Sequence, residues 1–323
     1  MGGNKMMNYL KMENVKNPIS RLIYGTAIPQ MMNGEDAGTI LDAAYAAGIT
    51  TFDTARSYID SEASLGNWIQ GRRIREKVNI ITKGCNPDQT GIVFSQESLS
   101  QELNTSLEFL KTDYVDLYCL HRDDPKTAAG IFIEVLNEFL DQGKIHAFGA
   151  SNWTYSRMDE ANEYAYKHNL TGFCFGSPAF SLAEMIGDPW GGSVHISGPS
   201  NQTARNWFIK NEIPVFAYSS FARGFFSGKY KTSMKEDIST VLPSYVKEEY
   251  YYPENVERLY RAEQLAEEKH VTVGQINLAW ILAQKLFVCP ILSPSTPDHL
   301  AENLKGMEIC LTHEECCWLN LEK

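Results

Sequence analysis

The sequence predicts a closed parallel (β/α)8 TIM barrel, and three observations point to it. Eight apolar, β-branched runs of strand length alternate with amphipathic helical stretches. The runs are apolar almost throughout, as expected of strands covered on both faces. The phosphate turn of the rival doubly wound dinucleotide fold, Gly-x-Gly-x-x-Gly, does not occur, because no two of the 23 glycines are spaced i, i+2. A barrel of this kind takes about 250 residues. The 323 residues present hold it as a single domain, 1–323, with a surplus for insertions.

Taken in order, Asn8–Glu13 and Ile19–Arg21 flank Val15-Lys-Asn-Pro18 and read as an N-terminal β-hairpin across the barrel bottom. The strand runs are Leu22–Ala27, Thr50–Ala55, Val78–Gly84, Val115–His121, Ile145–Ser151, Gly172–Ser177, Pro214–Ser219 and Phe287–Ser293. Helical spacing marks Ala37–Ala47, Glu62–Gln70, Leu99–Leu110, Ala128–Leu140, Tyr155–His168 and Gln202–Asn211, then the pair Val256–Glu268 and Val273–Gln284. Ser61 is placed to cap the second helix, Asp141-Gln142-Gly143 to stop the fourth, and Asn211-Glu-Ile-Pro214 to stop the sixth. Short connections between alternating strands and helices imply a parallel sheet. Ala183–Pro199, with Trp190-Gly-Gly192, and Lys229–Pro253 exceed ordinary loop length and are expected to be long loops over the C-terminal face.

Composition narrows the function. Hydrophobic residues make up 43% and charged residues 21%, far from the corner where chains stay disordered. Lys and Arg total 29 against 40 Asp and Glu, a net charge of −11, and no basic cluster is dense enough to grip a phosphate backbone. Nucleic acid is therefore not an expected partner. The start, Met1-Gly-Gly-Asn-Lys-Met-Met-Asn, lacks the apolar core of a secretory signal, and no run of ~18 apolar residues occurs, so no membrane partner and a cytoplasmic location are expected. The seven cysteines are odd in number and form no Cys-x-x-Cys. Cys119, Cys174 and Cys289 lie in strand-like runs as small hydrophobes, and Cys316 and Cys317 belong on a terminal helix with at least one buried. Neither a disulfide framework nor a metal site is expected.

In a (β/α)8 barrel the catalytic groups stand at the C-terminal ends of the strands. Strand two ends at Asp53 and runs on to Tyr58, strand three ends at Lys83, and strand four ends at His121. Strand five ends at Ser151 and Asn152, strand seven at Tyr218, Ser219 and Ser220. A free phenol, with a pKa of about 10, is a poor proton donor at neutral pH. A neighbouring ammonium stabilises phenolate, and a carboxylate paired to the ammonium keeps it in place and charged. Lys83 and Asp53 supply that pair for Tyr58, and His121 is placed to orient a substrate oxygen. Singly, each has an ordinary structural explanation as an ion pair, a packed ring or a core histidine; four at three consecutive strand ends point to a site.

The stretches that carry these residues are Gly25-Thr26-Ala27, Ala46-Ala47-Gly48-Ile-Thr-Thr-Phe-Asp53-Thr54-Ala55-Arg-Ser-Tyr58, Ile81-Thr82-Lys83, Tyr114-Val-Asp-Leu-Tyr-Cys-Leu-His121, Gly143-Lys-Ile-His-Ala-Phe-Gly149-Ala-Ser151-Asn152-Trp153 and Ala217-Tyr218-Ser-Ser-Phe-Ala-Arg-Gly224. In this order the chain resembles the aldo-keto reductase superfamily over nearly its whole length. The resemblance implies extended NAD(P)H bound without a doubly wound fold, and hydride transfer between nicotinamide and a carbonyl or sugar substrate. It makes Tyr58 the general acid, Lys83 and Asp53 its tuning pair and His121 the orienting group. It assigns the carboxamide to Ser151 and Asn152, nicotinamide stacking to Tyr218, the pyrophosphate to Ser219, Ser220 and Phe221 with Gly224 beside them, and the adenine end to Glu302 and Asn303. Gly25 and Thr26 complete the cofactor set at the end of strand one.

The sequence departs from the family in places. Ser177 stands where relatives usually place a Gln toward the carboxamide. After strand eight, around Ser295, the positions that are basic in NADP-preferring members are Ser293 and His299. Charge-assisted phosphate contacts are worth about 1.5–3 kcal/mol each, so the resemblance implies reduced NADP preference. Arg122-Asp123-Asp124, following His121, suits a hydroxyl-rich ligand, and Trp153 and Trp190 are placed to stack on a sugar ring; the alternative is that Arg122 pairs with Asp123 or Asp124 within its own loop. The net charge disfavours a strongly anionic substrate, subject to the local field. A Schiff base on Lys83 is opposed by Asp53, which keeps the amine protonated. A cofactor-binding regulatory barrel with little turnover is the other alternative, and the complete set of four residues argues against it.

Overall fold

The computed structural model describes residues 7–87, 94–233 and 237–322. An antiparallel hairpin comes first: β1 (Tyr9–Leu10) pairs with β2 (Ile19–Ser20), Tyr9 opposite Ser20 and Leu10 opposite Ile19. Eight parallel strands follow, β3 (Ile23–Gly25), β4 (Thr51–Asp53), β5 (Asn79–Gly84), β6 (Val115–Leu120), β7 (Ile145–Ser151), β8 (Gly176–Ser177), β9 (Val215–Ala217) and β10 (Val288–Leu292), and the sheet closes into a barrel in that order. Each lies inside one of the runs expected from the sequence. The helices are α1 (Pro29–Met32), α2 (Gly38–Ala46), α3 (Ser61–Arg72), α4 (Gln96–Leu110), α5 (Ala129–Asp141), α6 (Tyr155–Lys167), α7 (Gln202–Lys210), α8 (Ile238–Val241), α9 (Ser244–Tyr250), α10 (Pro253–Glu268), α11 (Val273–Leu282), α12 (Pro297–Lys305) and α13 (His313–Leu319). None is long and apolar enough to cross a membrane.

Contacts divide the chain into two compact units, and the first is Met6–Ser177 with Ser293–Pro297. Its helices follow the apolar stripe in the sequence: α5 buries Phe132, Ile133, Val135, Leu136 and Phe139 at helical spacing. The hairpin is tied to the starts of two strands, where Ser20 Oγ accepts the Thr50 and Thr51 N–H groups at 3.2 Å each. Asn79 Nδ2 donates to the Asn17 and Pro18 carbonyls at 3.1 and 3.2 Å, which sets the hairpin at the N-terminal ends of β4 and β5. One cap differs from expectation. Asp60, not Ser61, holds the N-cap of α3 and makes no side-chain cap bond. Ser61 is already helical, and its hydroxyl donates to the Thr26 carbonyl at 3.1 Å, tying α3 to the end of β3.

The second unit is Pro178–Leu292 with Asp298–Lys323. Here α11 is buried from Val273 through Ile281 and opens with a capping box between Thr272 and Gln275. Both long segments are ordered where they are described. In Ala183–Pro199, Asp188 accepts the Gly192 and Ser193 N–H groups at 2.7 and 2.9 Å, and Ile186 N–H donates to the Glu249 carbonyl at 2.8 Å. Lys229–Pro253 folds into α8 and α9, with 234–236 outside the described residues. Two cysteine expectations need correction. Cys316 and Cys317 are both only partly covered, since α13 turns Leu319 alone fully inward. Cys174, in the first unit, precedes β8 and is likewise partly exposed, its thiol donating to the Phe148 carbonyl at 3.1 Å.

Candidate active site

Three neighbouring strands of the first unit carry the expected residues to one end of the sheet. Asp53 closes β4, Lys83 is the fifth residue of β5, and His121 follows the last residue of β6. Lys83 and Asp53 are 3% and 4% exposed, and their charges meet at 2.5 Å between Nζ and Oδ1. Nζ also donates to the Thr54 carbonyl at 2.8 Å. Tyr58 sits in the short loop before α3, its ring centroid 5.1 Å from Lys83 Nζ and 5.8 Å from the His121 ring, which it meets edge-on at 80°. The four groups expected to act together are brought together.

Their electrostatics correct one expectation. Burial lifts the Tyr58 phenol, Lys83 pulls it down and Asp53 pushes it up, with the balance above its ordinary value. The ammonium's pull is present, but desolvation of a phenolate outweighs it, so Tyr58 is held protonated. Burial presses on the Lys83 ammonium as well, yet Asp53 and Tyr58 more than offset it and hold the amine above its ordinary value. For His121, burial and the positive charges of Lys83 and Arg122 act in the same direction and place it well below the usual imidazole range. His121 is neutral at neutral pH.

The loop carrying Tyr58 is fastened by residues that strand-end reasoning did not single out. Glu62, fully buried at the start of α3, pairs with Arg56 and accepts the Thr82 hydroxyl at 2.5 Å. Arg56 N–H donates to the Lys83 carbonyl at 2.9 Å. Ser57 Oγ lies 3.4 Å from His121 Nδ1. In the sequence Glu62 reads only as an acidic residue in a first helical turn, and Ser57 carries no signal beyond its place beside Tyr58.

Candidate cofactor residues occur in both units. In the first, Ser151 is 1% exposed and donates to the Ser177 carbonyl at 2.8 Å. Asn152 Nδ2 donates to the His121 carbonyl at 3.1 Å and to Ser151 Oγ at 3.2 Å. Thr26, after Gly25, is fully buried, and its hydroxyl has no partner among the described residues, while Ser293 and Ser295 are exposed. In the second unit Tyr218 is partly exposed, with Trp190 against it edge-on at 6.1 Å. Ser219, Ala222, Arg223 and Gly224 all take left-handed backbone, with φ of 50°, 49°, 51° and 95°. The N–H groups of Ser219, Ser220 and Phe221 meet no acceptor among the described residues, and Asn277 holds the segment by donating to the Ser220 carbonyl at 2.8 Å. Turned backbone with unspent N–H groups is the donor chemistry a pyrophosphate requires, so these residues fit a dinucleotide.

The sequence profile of the Aldo/keto reductase family matches residues 21–317. The chain belongs to the aldo/keto reductase family. Among its relatives, Aldo-keto reductase str7 of Strobilurus tenacellus is 30% identical, over 85% of this chain and 77% of its own length. A Schizosaccharomyces pombe protein provisionally named as a voltage-gated potassium channel subunit beta is 27% identical over 85% of this chain and 79% of its own. Aldo-keto reductase yakc of the same organism, designated NADP(+), is 26% identical over 82% and 76%. Aldo/keto reductases are oxidoreductases acting on carbonyl compounds with a nicotinamide cofactor.

Within this aldo/keto reductase the residues expected at the substrate divide. Trp153 is 2% exposed, packed between Phe132 and Phe173 with ring centroids 5.1 Å from each and with the Arg157 guanidinium over its ring at 5.2 Å. It is a core residue and is too deeply covered to stack on a sugar. Trp190 is 48% exposed, with Arg223 4.9 Å above its ring. Arg122 pairs with neither neighbouring acid. Asp123 is taken by Arg157 at 3.2 Å, and Asp124 accepts the Lys126 N–H at 3.1 Å and the Thr127 hydroxyl at 2.8 Å. On α12, in the second unit, His299 and Glu302 are exposed and Asn303 is half-buried.

Proposed function

We propose that this aldo/keto reductase transfers hydride between NAD(P)H and the carbonyl of a small aldehyde, ketone or sugar, as a single cytoplasmic barrel domain spanning 1–323. The observation that carries the reading is the buried Asp53–Lys83 pair set against a protonated Tyr58 and a neutral His121. The cofactor, when bound, supplies the hydride. The chain's own part begins with His121, which orients the carbonyl oxygen; its Nδ1 lies 3.4 Å from the Ser57 hydroxyl, and the tautomer that serves the reaction carries its proton on Nε2, with Nδ1 accepting from Ser57. Tyr58 gives its proton to that oxygen as the carbonyl carbon accepts hydride, yielding the alcohol. The phenolate left on Tyr58 is stabilised by Lys83, whose charge Asp53 maintains, and solvent returns the proton. In the oxidative direction the same phenolate accepts the alcohol proton.

Ser151, Asn152 and Ser177 are the residues for the carboxamide, Tyr218 is the stacking ring, and Gly25 and Thr26 complete the cofactor set. The pyrophosphate falls to Ser219, Ser220 and Phe221 with Gly224, and the adenine end to Glu302 and Asn303. Ser293, Ser295 and His299 provide no lysine or arginine for a 2′-phosphate, which supports reduced NADP preference. The test is titration with NADH and NADPH by fluorescence quenching, followed by absorbance loss on a panel of aldehydes, ketones and sugars. Tyr58→Phe is expected to lose about 10²–10⁴-fold in kcat, and full activity would overturn the acid assignment. An NADPH preference of about a hundredfold or more in kcat/KM, equivalent to retained phosphate clamps, would sink the cofactor reading. A second reading, a cofactor-binding regulatory barrel with little turnover, is favoured by the potassium-channel-subunit relative; binding without turnover across the panel is its signature.

A further inference from the structure

We propose that Arg122 seats an anionic group of the substrate, so that the preferred carbonyl compounds carry a carboxylate or a phosphate ester. The inference rests on the reductase reading and adds a substrate class to it. Arg122 follows His121 directly at the end of β6 and is partly buried. Its Nη1 is fully covered, and among the described residues it has no hydrogen-bond partner and the guanidinium forms no ion pair. The two acids beside it are engaged: Asp123 by Arg157, which also holds Glu160 at 2.9 Å, and Asp124 by the turn that it closes. The other cation near His121, Lys83, is paired with Asp53; Arg122 has no such partner among the described residues.

A covered guanidinium nitrogen without a hydrogen-bond partner is costly. Its planar fork matches the two oxygens of a carboxylate or phosphate, whereas neutral sugar hydroxyls would leave the charge uncompensated. The net charge of −11 is a property of the whole chain and does not decide what one guanidinium meets; at this end of β6 the acids Asp123, Asp124 and Glu160 already have partners of their own. Nearby groups act over a few ångströms, and distant surface charges are screened within about 8–10 Å.

The test compares kcat/KM for 4-oxobutanoate with its neutral analogue 4-oxobutanamide, and for glyceraldehyde 3-phosphate with glyceraldehyde, in the unaltered protein, Arg122→Gln and Arg122→Lys. The acid of at least one pair is expected to be preferred by about tenfold or more, and the pair that shows it identifies the anion. The preference should fall toward parity in Arg122→Gln and be partly kept in Arg122→Lys, which retains charge without the fork. Parity in the unaltered protein, or a preference undiminished in Arg122→Gln, overturns the proposal. Calorimetric titration with succinate, inorganic phosphate and neutral succinamide separates this from the reductase reading. Anion binding that weakens about tenfold in Arg122→Gln, without turnover of any carbonyl, keeps the anion seat and defeats the reductase. Anions bound no better than succinamide defeat the anion seat.

Discussion

Ile59 carries a β-branched side chain at φ 51° and is 58% exposed, immediately after Tyr58. Left-handed backbone costs such a residue about 1–2 kcal/mol, and glycine adopts it freely. Ile59→Gly is therefore expected to raise the unfolding free energy by about 0.5–1 kcal/mol, once glycine's greater unfolded-state entropy is deducted; a lower denaturant midpoint would show that the side chain is supported in place. The histidine and tyrosine beside it set a pH profile. Reduction needs the phenol protonated and the imidazole neutral. Tyr58 is held above its ordinary value and His121 well below its own, so neither titrates in the neutral range. The expected kcat/KM for reduction is flat from about pH 6.5 to 9 and falls only as Tyr58 deprotonates at higher pH. An inflection near the ordinary imidazole value that disappears in His121→Gln would contradict this account.

The loop bearing Tyr58 depends on how α3 is held. Glu62 is wholly buried and pairs with Arg56, so Glu62→Ala leaves a cation without its partner. It is expected to cost about 3–5 kcal/mol and to lower kcat along with stability. Gly66 allows α3 to approach α4: a Cβ there would lie 2.5 Å from the Phe109 carbonyl oxygen and 2.7 Å from the Leu110 carbonyl carbon. Gly66→Ala is expected to destabilise by about 1–3 kcal/mol through overpacking, despite alanine's better helix propensity; a gain in melting temperature would refute the close approach. Runs such as Ile145–Ser151 were legible as strands because apolar continuity is a property of consecutive residues. The Ser61 cap was misplaced because serine's cap chemistry is local, whereas its hydroxyl bonds the Thr26 carbonyl from another element.

Taken whole, the molecule has a prediction of its own: a cofactor that binds the native state alone stabilises it by mass action. NADH or NADPH at about 100 times Kd should add about 2.7 kcal/mol. With an unfolding entropy of about 2.1 cal/mol/K per residue, this raises the melting temperature by about 4 °C. Neither dinucleotide producing a shift would remove the basis of the reductase reading.

The eight parallel strands, the hairpin before them, the family and the residues that reach the strand ends were all legible in the order of the amino acids. Those properties follow from the spacing of neighbours along the chain. What surrounds each group came from the folded arrangement. That arrangement made Tyr58 a held acid, because burial, with Asp53 adding to it, exceeds the pull of Lys83. It moved Trp153 into the core between Phe132 and Phe173, and it left Arg122 unpaired by giving Asp123 to Arg157, 34 positions along the chain. Desolvation and ion pairing depend on groups brought near in space, and no local pattern of residues encodes them.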